Sequence, residues 1–320
     1  MTQTDGSALA ARLRARDRTA APEVLNLVES RTPAARAQAD ALLRGVSPAA
    51  LGAEAGGHVV GVTGPPGAGK STLLSELVRA WRAAGRTVAV LAVDPSSRRT
   101  GGSLLGDRAR IAHDPRDDGV FIRSTAAADR LGGLAASTRA AATALAAAFD
   151  VVVVETVGVG QSETDIAELA DTVAVVVQPG SGDTLQFLKS GIMEIPDVLV
   201  VTKADLGDIA LRARRDLSAA LRSVGERETS VLAVSSVSPV TGIDELIAEL
   251  DAHRAASDVA ARRLRARRAT ALADFTAEHG ERGLRALGGR REAERWLAAQ
   301  DPAADVPSLV AGLEARTVSP

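Results

Sequence analysis

The 320-residue chain contains no cysteine and no tyrosine. Without thiols, disulfides, iron–sulfur clusters and thiolate metal sites are excluded, and the composition fits a reducing compartment. Aromatic residues amount to 2%, too few for the stacking platforms that hold single-stranded nucleic acid. The four histidines, His58, His113, His253 and His279, are scattered and show no metal-ligand spacing. Charge of one sign is missing as well. The net charge is −2 and the pI near 6.2, so no global field draws the chain to nucleic acid or to an anionic membrane. Apolar runs such as Val151–Val154 and Val173–Val177 are far too short to span a bilayer. The N-terminus, M-T-Q-T-D-G-S-A, lacks the charged-then-apolar pattern of a signal peptide. These absences lead us to expect a soluble cytoplasmic protein with neither nucleic acid nor membrane as partner.

What is present is a hydrophobic content of 46%, enough for one large α/β domain and a smaller accessory region. Residues 1–55 are rich in Ala, Arg and Leu, with helical stripes at Leu9/Leu13, Val24/Leu25/Val28 and Ala35/Ala39/Leu42, punctuated by Pro22, Pro33 and Pro48. They read as an N-terminal helical extension of three short helices. From 56 to 250 strand and helix alternate. Strands are expected at 58–63, 87–93, 119–123, 150–155, 172–178, 197–202 and 230–235, with helices at 71–84, 133–148, 162–170, 184–193, 208–224 and 242–254. The strands are mostly continuous Val/Ala/Leu/Ile runs, as a parallel sheet buried on both faces requires. The fold class is therefore α/β, a doubly wound and mostly parallel sheet whose ligands sit at the carboxyl ends of its strands. Residues 251–320 return to a helix-only pattern in which Leu264, Leu272 and Phe275 share a face. The basic run Arg262, Arg263, Arg265, Arg267 and Arg268 reads as a solvated helix face, the alternative being a surface for an acidic partner.

The stretch His58–Thr72 carries the most chemistry. A short apolar strand runs into Gly64-Pro65-Pro66-Gly67-Ala68-Gly69-Lys70-Ser71-Thr72 and then into a helix with apolar Leu73, Leu74, Leu77, Val78 and Trp81. This is the G-x-x-x-x-G-K-[ST] phosphate loop in its strand–loop–helix setting. The glycines let the backbone curl until successive N–H groups form an anion nest at a helix N-terminus. Lys70 supplies a point charge to the β- and γ-phosphates, and Ser71 a hydroxyl to Mg²⁺. The chain therefore binds a nucleoside triphosphate.

Four further stretches narrow the nucleotide and the reaction. In Thr202-Lys203-Ala204-Asp205, the Asp205 carboxylate suits the adjacent N1–H and 2-amino donors of guanine, while the Lys203 stem can lie along the base. GTPases usually carry N-K-x-D here, and Thr202 stands in place of Asn. In Glu155-Thr156-Val157-Gly158, a carboxylate at a buried strand tip lies three residues before a glycine, resembling the GTPase D-x-x-G element. Glu155 would hold Mg²⁺ directly or through water, and the Gly158 N–H would sense the γ-phosphate. Val159 follows, where Ras-type enzymes keep a water-positioning Gln, so slow hydrolysis raised by a partner is expected. Asp94 ends a strand in Val93-Asp94-Pro95-Ser96-Ser97, and a Gly-rich segment after it carries Asp107. The fourth stretch, Pro179–Glu194, sets glycines before an amphipathic helix.

Together D-P-S-S, T-G-G-S-L-L-G-D-R, E-T-V-G-V-G-Q-S-E, G-D-x-L-Q-x-x-K-x-G-I-M-E and T-K-A-D resemble the MeaB/ArgK family. These are GTPase chaperones of cobalamin-dependent acyl-CoA mutases, and they include the human methylmalonic aciduria type A protein. The resemblance spans nearly the whole chain, with E-V-L-N-L-V-E-S at Glu23–Ser30 similar to the family's N-terminal helix. It implies a P-loop GTPase domain over 56–250 that uses GTP and GDP. It further implies Mg²⁺ near Ser71, Asp94, Asp107 and Glu155, with Lys70, Asp94, Glu155 and Gly158 as the catalytic set. A partner switch would contain Asp183, Gln186 and Lys189, and a homodimer would form through the C-terminal helical arm, 251–320. The guanine-pocket S-A element appears as Ser235-Ser236-Val237, with Ser236 and Val237 as base contacts. Thr202 for Asn, Phe187-Leu188 for Gly-Ile, and a missing Pro-Ser pattern in Ser124–Arg130 place the chain on a divergent branch. Alternatives are a phosphotransferase of the transport-kinase type, an ATP-using partition or transport ATPase, and a nickel-delivery GTPase, the last opposed by the lack of cysteine.

Overall fold

The computed structural model describes residues 4–94, 111–126, 134–156, 161–180, 195–224 and 229–318. Four helices open the chain: α1 (Gly6–Arg14), α2 (Ala21–Glu29), α3 (Pro33–Gly45) and α4 (Pro48–Leu51). Pro22, Pro33 and Pro48 each lie in the first turn of a helix rather than breaking one, because a missing N–H costs nothing where no acceptor exists. Asp5, Thr32 and Ser47 cap α1, α3 and α4 through their side-chain oxygens.

Seven strands follow: β1 (His58–Thr63), β2 (Val88–Asp94), β3 (Val120–Ala126), β4 (Val151–Glu155), β5 (Thr172–Val177), β6 (Val198–Val201) and β7 (Ser230–Ala233). All seven expected strands are found. They pair in parallel in the order β3-β2-β4-β1-β5-β6-β7. Every residue of β1, β4, β5 and β6 is buried, which is why these strands read as unbroken valine runs. The chain works outward from β1 to β2 and β3, then crosses from β4 over β1 to β5. That reversal leaves the crevice of a doubly wound sheet at the carboxyl end of β1. The register aligns the strand ends there: Val62 lies beside Glu155, Glu155 beside Ala92, Val177 beside Val201, and Val201 beside Ala233.

Helices α5 (Lys70–Ala83), α6 (Ala136–Leu145), α7 (Gln161–Leu169), α8 (Asp208–Val224) and α9 (Ile243–Ala256) fall between or after the strands. The apolar stripe of α5 packs into one core with Val60, Val62, Val90, Val153 and the buried Leu246 and Leu250 of α9. Helix α6 is shorter than the expected 133–148, and the expected helix 184–193 lies outside the described residues.

The chain divides into two compact units. One comprises Met1–Gly57, Arg139–Ala148 and Val259–Pro320; the other, His58–Thr138 and Phe149–Asp258, contains the sheet. In the first unit α10 (Val259–Ala286), kinked at Gly280, α11 (Arg290–Ala298) and α12 (Val306–Val318) bury Leu272, Phe275, Leu284, Leu297 and Leu313 in a core of their own. Three arginines of the basic run on α10 bond groups of the chain itself instead of forming a solvated face, while Arg265 is exposed. Arg263 donates to the carbonyls of Ala55 and Gly57 (both 2.6 Å), Arg267 to Glu54 and the Pro302 carbonyl, and Arg268 to the Ala298 carbonyl. Planar guanidinium forks fasten loop carbonyls to the helix, a task suited to Arg rather than Lys.

No helix among the described residues is long and apolar enough to cross a membrane.

Candidate functional site

The phosphate loop leaves β1 at Gly64, whose φ of 147° is open to glycine. A Cβ there would stand 2.1 Å from the Val176 carbonyl oxygen of β5, so the position admits no side chain. The loop closes at Gly69, a left-handed N-cap (φ 89°) from which α5 starts at Lys70. The first-turn amides of α5 thus face the crevice with the positive end of the helix dipole. The Lys70 side chain folds back over the loop: its ammonium donates to the carbonyls of Gly64 (2.8 Å) and Pro65 (3.1 Å). The residue is 6% exposed, so its charge is concentrated on the loop rather than screened by water.

Beside it, Ser71 Oγ donates to Glu155 Oε1 at 3.5 Å. Glu155 ends β4, next to β1 in the sheet, which brings residues 84 apart in sequence into one corner. A hydroxyl and a buried carboxylate form an oxygen-only donor pair, the chemistry that a hard cation such as Mg²⁺ prefers. Asp94 closes β2 on the other flank of β4; its side chain is outside the described set. Among the described residues no cluster of three His, Cys, Asp or Glu side chains is arranged to hold a metal.

The far half of the crevice is built by the ends of β5, β6 and β7. Thr202 is buried and its hydroxyl lies 2.6 Å from the Ala68 carbonyl and 3.1 Å from that of Val177. It therefore ties the strand end directly to the phosphate loop. Lys203 adopts a left-handed conformation (φ 55°) and its ammonium donates to Gln178 Oε1 at 2.5 Å. Asp205, exposed at the rim, has its Oδ1 3.3 Å from Ser235 Oγ, whose one hydrogen is shared between that carboxylate and the Val237 carbonyl at 2.9 Å. Ala204 N–H donates to the Val234 carbonyl, which joins the two loops through the backbone. The Ser236 hydroxyl is buried with no hydrogen-bond partner.

The structure thus gathers Gly64 to Thr72, Glu155, Thr202, Lys203, Asp205, Ser236 and Val237 along one edge of the sheet. Asp107, Gly158, Asp183, Gln186 and Lys189 lie outside the described residues. Gln178, which holds Lys203, escaped the sequence-based site, and its only signal was its place at a strand end. Ser235 belongs to the expected Ser235-Ser236-Val237 element, but its place beside Asp205 was not foreseen.

A parallel sheet in this order with a phosphate loop after its central strand defines a P-loop nucleoside triphosphatase. The family described as "Methylmalonyl Co-A mutase-associated GTPase MeaB" matches residues 21–284, and the chain belongs to this family of P-loop GTPases. A protein of Pyrococcus horikoshii is 49% identical over 195 residues, covering 61% of this chain and 59% of that protein, so this alignment spans less than two thirds of the relative. GTPase ArgK of Escherichia coli is 42% identical over 248 residues, covering 73% of this chain and 72% of that protein. The mitochondrial methylmalonic aciduria type A homolog of Caenorhabditis elegans is 40% identical over 205 residues, 62% of this chain and 51% of that protein. Among solved structures, an LAO/AO transport system kinase superposes with a TM-score of 0.64 at 28% identity, covering 97% of this chain and 96% of the other.

Proposed function

We propose that this protein is a GTP-hydrolysing chaperone that docks to a cobalamin-dependent acyl-CoA mutase, methylmalonyl-CoA mutase or a relative, and gates loading and protection of its cofactor. The observation that carries the reading is the 2.6 Å bond from Thr202 to the Ala68 carbonyl, which fuses a guanine-type T-K-A-D element to the phosphate loop. Membership of a family described as mutase-associated supports the choice of partner.

The positions of the described residues and the family resemblance support the following roles. Loop amides and Lys70 hold the β- and γ-phosphates and stabilise the charge that develops on the transferred group. Ser71 and Glu155, with Asp94 and Asp107, would hold Mg²⁺, which would supply charge neutralisation at the phosphates. Asp205, oriented by Ser235, accepts the N1–H and 2-amino hydrogens of guanine, and Lys203 covers the face of the base. The Gly158 N–H senses the γ-phosphate. Asp183, Gln186 and Lys189 belong to the switch that signals the nucleotide state to the mutase. The protein acts in the cytoplasm as a homodimer joined through its C-terminal helices.

The test is GTP turnover by the purified protein, alone and with purified mutases beginning with methylmalonyl-CoA mutase, with ATP in parallel and Lys70→Ala as the blank. Slow GTP hydrolysis raised severalfold by one mutase is expected. ATP turned over as readily as GTP, or no stimulation by any mutase, overturns the assignment.

A further inference from the structure

Beyond the end of the β5–β6 ladder, one more backbone bond and then a side-chain bond carry the pairing on. The last ladder pair is Val177 with Val201. One step on, the Val177 carbonyl accepts the N–H of Thr202 (2.9 Å), with the Thr202 hydroxyl 3.1 Å away. At the next step, Gln178 Oε1 accepts from the Lys203 ammonium at 2.5 Å. Lys203 leaves the strand in a left-handed conformation (φ 55°, ψ 42°) as the N-cap of the short turn Ala204–Leu206. Its side chain is exposed while that of Gln178 is half-buried. A lysine in that setting ordinarily samples many rotamers. Here both ends are held, the backbone by the turn and the ammonium by Gln178. Held at both ends, the four-carbon stem can serve as an apolar shelf two residues before Asp205.

We infer that Gln178 is a positioning residue of the nucleobase site: by holding the Lys203 ammonium it pre-forms the apolar shelf on which a guanine base lies. The inference rests on the proposed seating of guanine against Lys203 and Asp205 and adds to it a residue outside the phosphate-loop and T-K-A-D elements. Neutral Gln suits the task. It offers the ammonium an acceptor through its amide oxygen without cancelling the charge.

Steady-state GTP hydrolysis by the full chain tests the idea. In Gln178→Leu, which keeps the bulk and removes the acceptor, KM for GTP rises about 3- to 10-fold, the range for one side chain that must be immobilised on binding. Its kcat and thermal midpoint stay unchanged. Gln178→Glu, which keeps both the shape and an acceptor for the ammonium, remains within about twofold of the parent KM. In a Lys203→Met background, Gln178→Leu adds nothing further, since the interaction it removes is already gone. An unchanged KM in Gln178→Leu alongside a raised KM in Lys203→Met overturns the inference and spares the base-site assignment. So do effects of the two substitutions that simply multiply. An unchanged KM in Lys203→Met overturns the base-site assignment and this inference with it.

Discussion

Thr202 has one hydroxyl hydrogen and two carbonyls within reach, those of Ala68 at 2.6 Å and Val177 at 3.1 Å. The shorter contact wins the hydrogen, because Val177 already receives the Thr202 N–H. Substitution of Asn by Thr at this point of a GTPase therefore preserves the tie to the phosphate loop but halves the number of donors. Thr202→Val keeps the shape and removes the hydrogen, so the Ala68 carbonyl loses that donor. We expect unfolding stability to fall by about 1–3 kcal/mol and affinity for a fluorescent GDP analogue to weaken, with Thr202→Asn restoring both. Equal urea midpoints for parent and Thr202→Val would show that the hydroxyl fastens nothing. At this scale the phosphate loop was legible because its logic is local: a glycine turn, a lysine and a hydroxyl within eight residues. Gln178 was not, since it acts on a residue 25 positions away across strand ends whose adjacency no local pattern encodes.

Elements meet at the opposite end of the sheet through a chain of polar groups. His58 Nε2 lies 2.9 Å from Thr172 Oγ1, Thr172 Oγ1 lies 2.9 Å from His253 Nδ1, and His253 Nε2 lies 3.1 Å from Asp197 Oδ1. His58 Nδ1 stands 3.6 Å from Asp251, which also pairs with Arg86 at 2.8 Å. This chain ties the first residues of β1 and β5 to α9. Burial holds His58 below its ordinary value of 6.5, opposed by Asp251 and reinforced by the nearby Arg254 charge. A histidine depressed in the folded state favours the neutral form, so its contribution is present above 6.5 and is lost as pH falls through the lower folded value. The thermal midpoint should drop between pH 7.5 and pH 5.5, and drop less in His58→Asn. Parallel pH profiles for the two proteins would rule His58 out as the cause. The Asp251 carboxyl, held below its usual range by the His58 hydrogen bond and by Arg86, adds its own loss only at more acidic pH. The seven strands themselves were legible from their valine runs, whereas the polar residues that open β1 and β5 carried no signal of being joined.

On the scale of the whole molecule, residues at the two ends of the chain share one compact unit. Within it the guanidinium of Arg263 bonds the carbonyls of Ala55 and Gly57, and that of Arg267 lies 2.9 Å from Glu54. The Arg267 side chain is 11% exposed, so the pair escapes the screening that makes surface ion pairs weak. Replacing both arginines with alanine should lower stability by about 2 kcal/mol or more, the scale of charged hydrogen bonds to buried acceptors. Amide exchange should quicken in 54–57 and 298–302 together, as read by mass spectrometry. Protection unchanged in both stretches would contradict the fastening role. From sequence, these arginines read as a solvated face, because five basic residues within seven positions carry no mark of the carbonyls that some of them will meet.

The sequence by itself determined the strand–loop–helix of the nucleotide site, the parallel character of the sheet and the helical character of both ends. Each of these rests on short-range pattern: glycine and proline placement, unbroken apolar runs, a 3.6-residue stripe. Only the tertiary structure decided the strand order, the pairing of Ser71 with Glu155, the clamp of Gln178 on Lys203 and the joining of the chain's two ends. These depend on which side of β1 each crossover takes and on where loop carbonyls fall once the core has closed, and both are settled by packing across many residues at once.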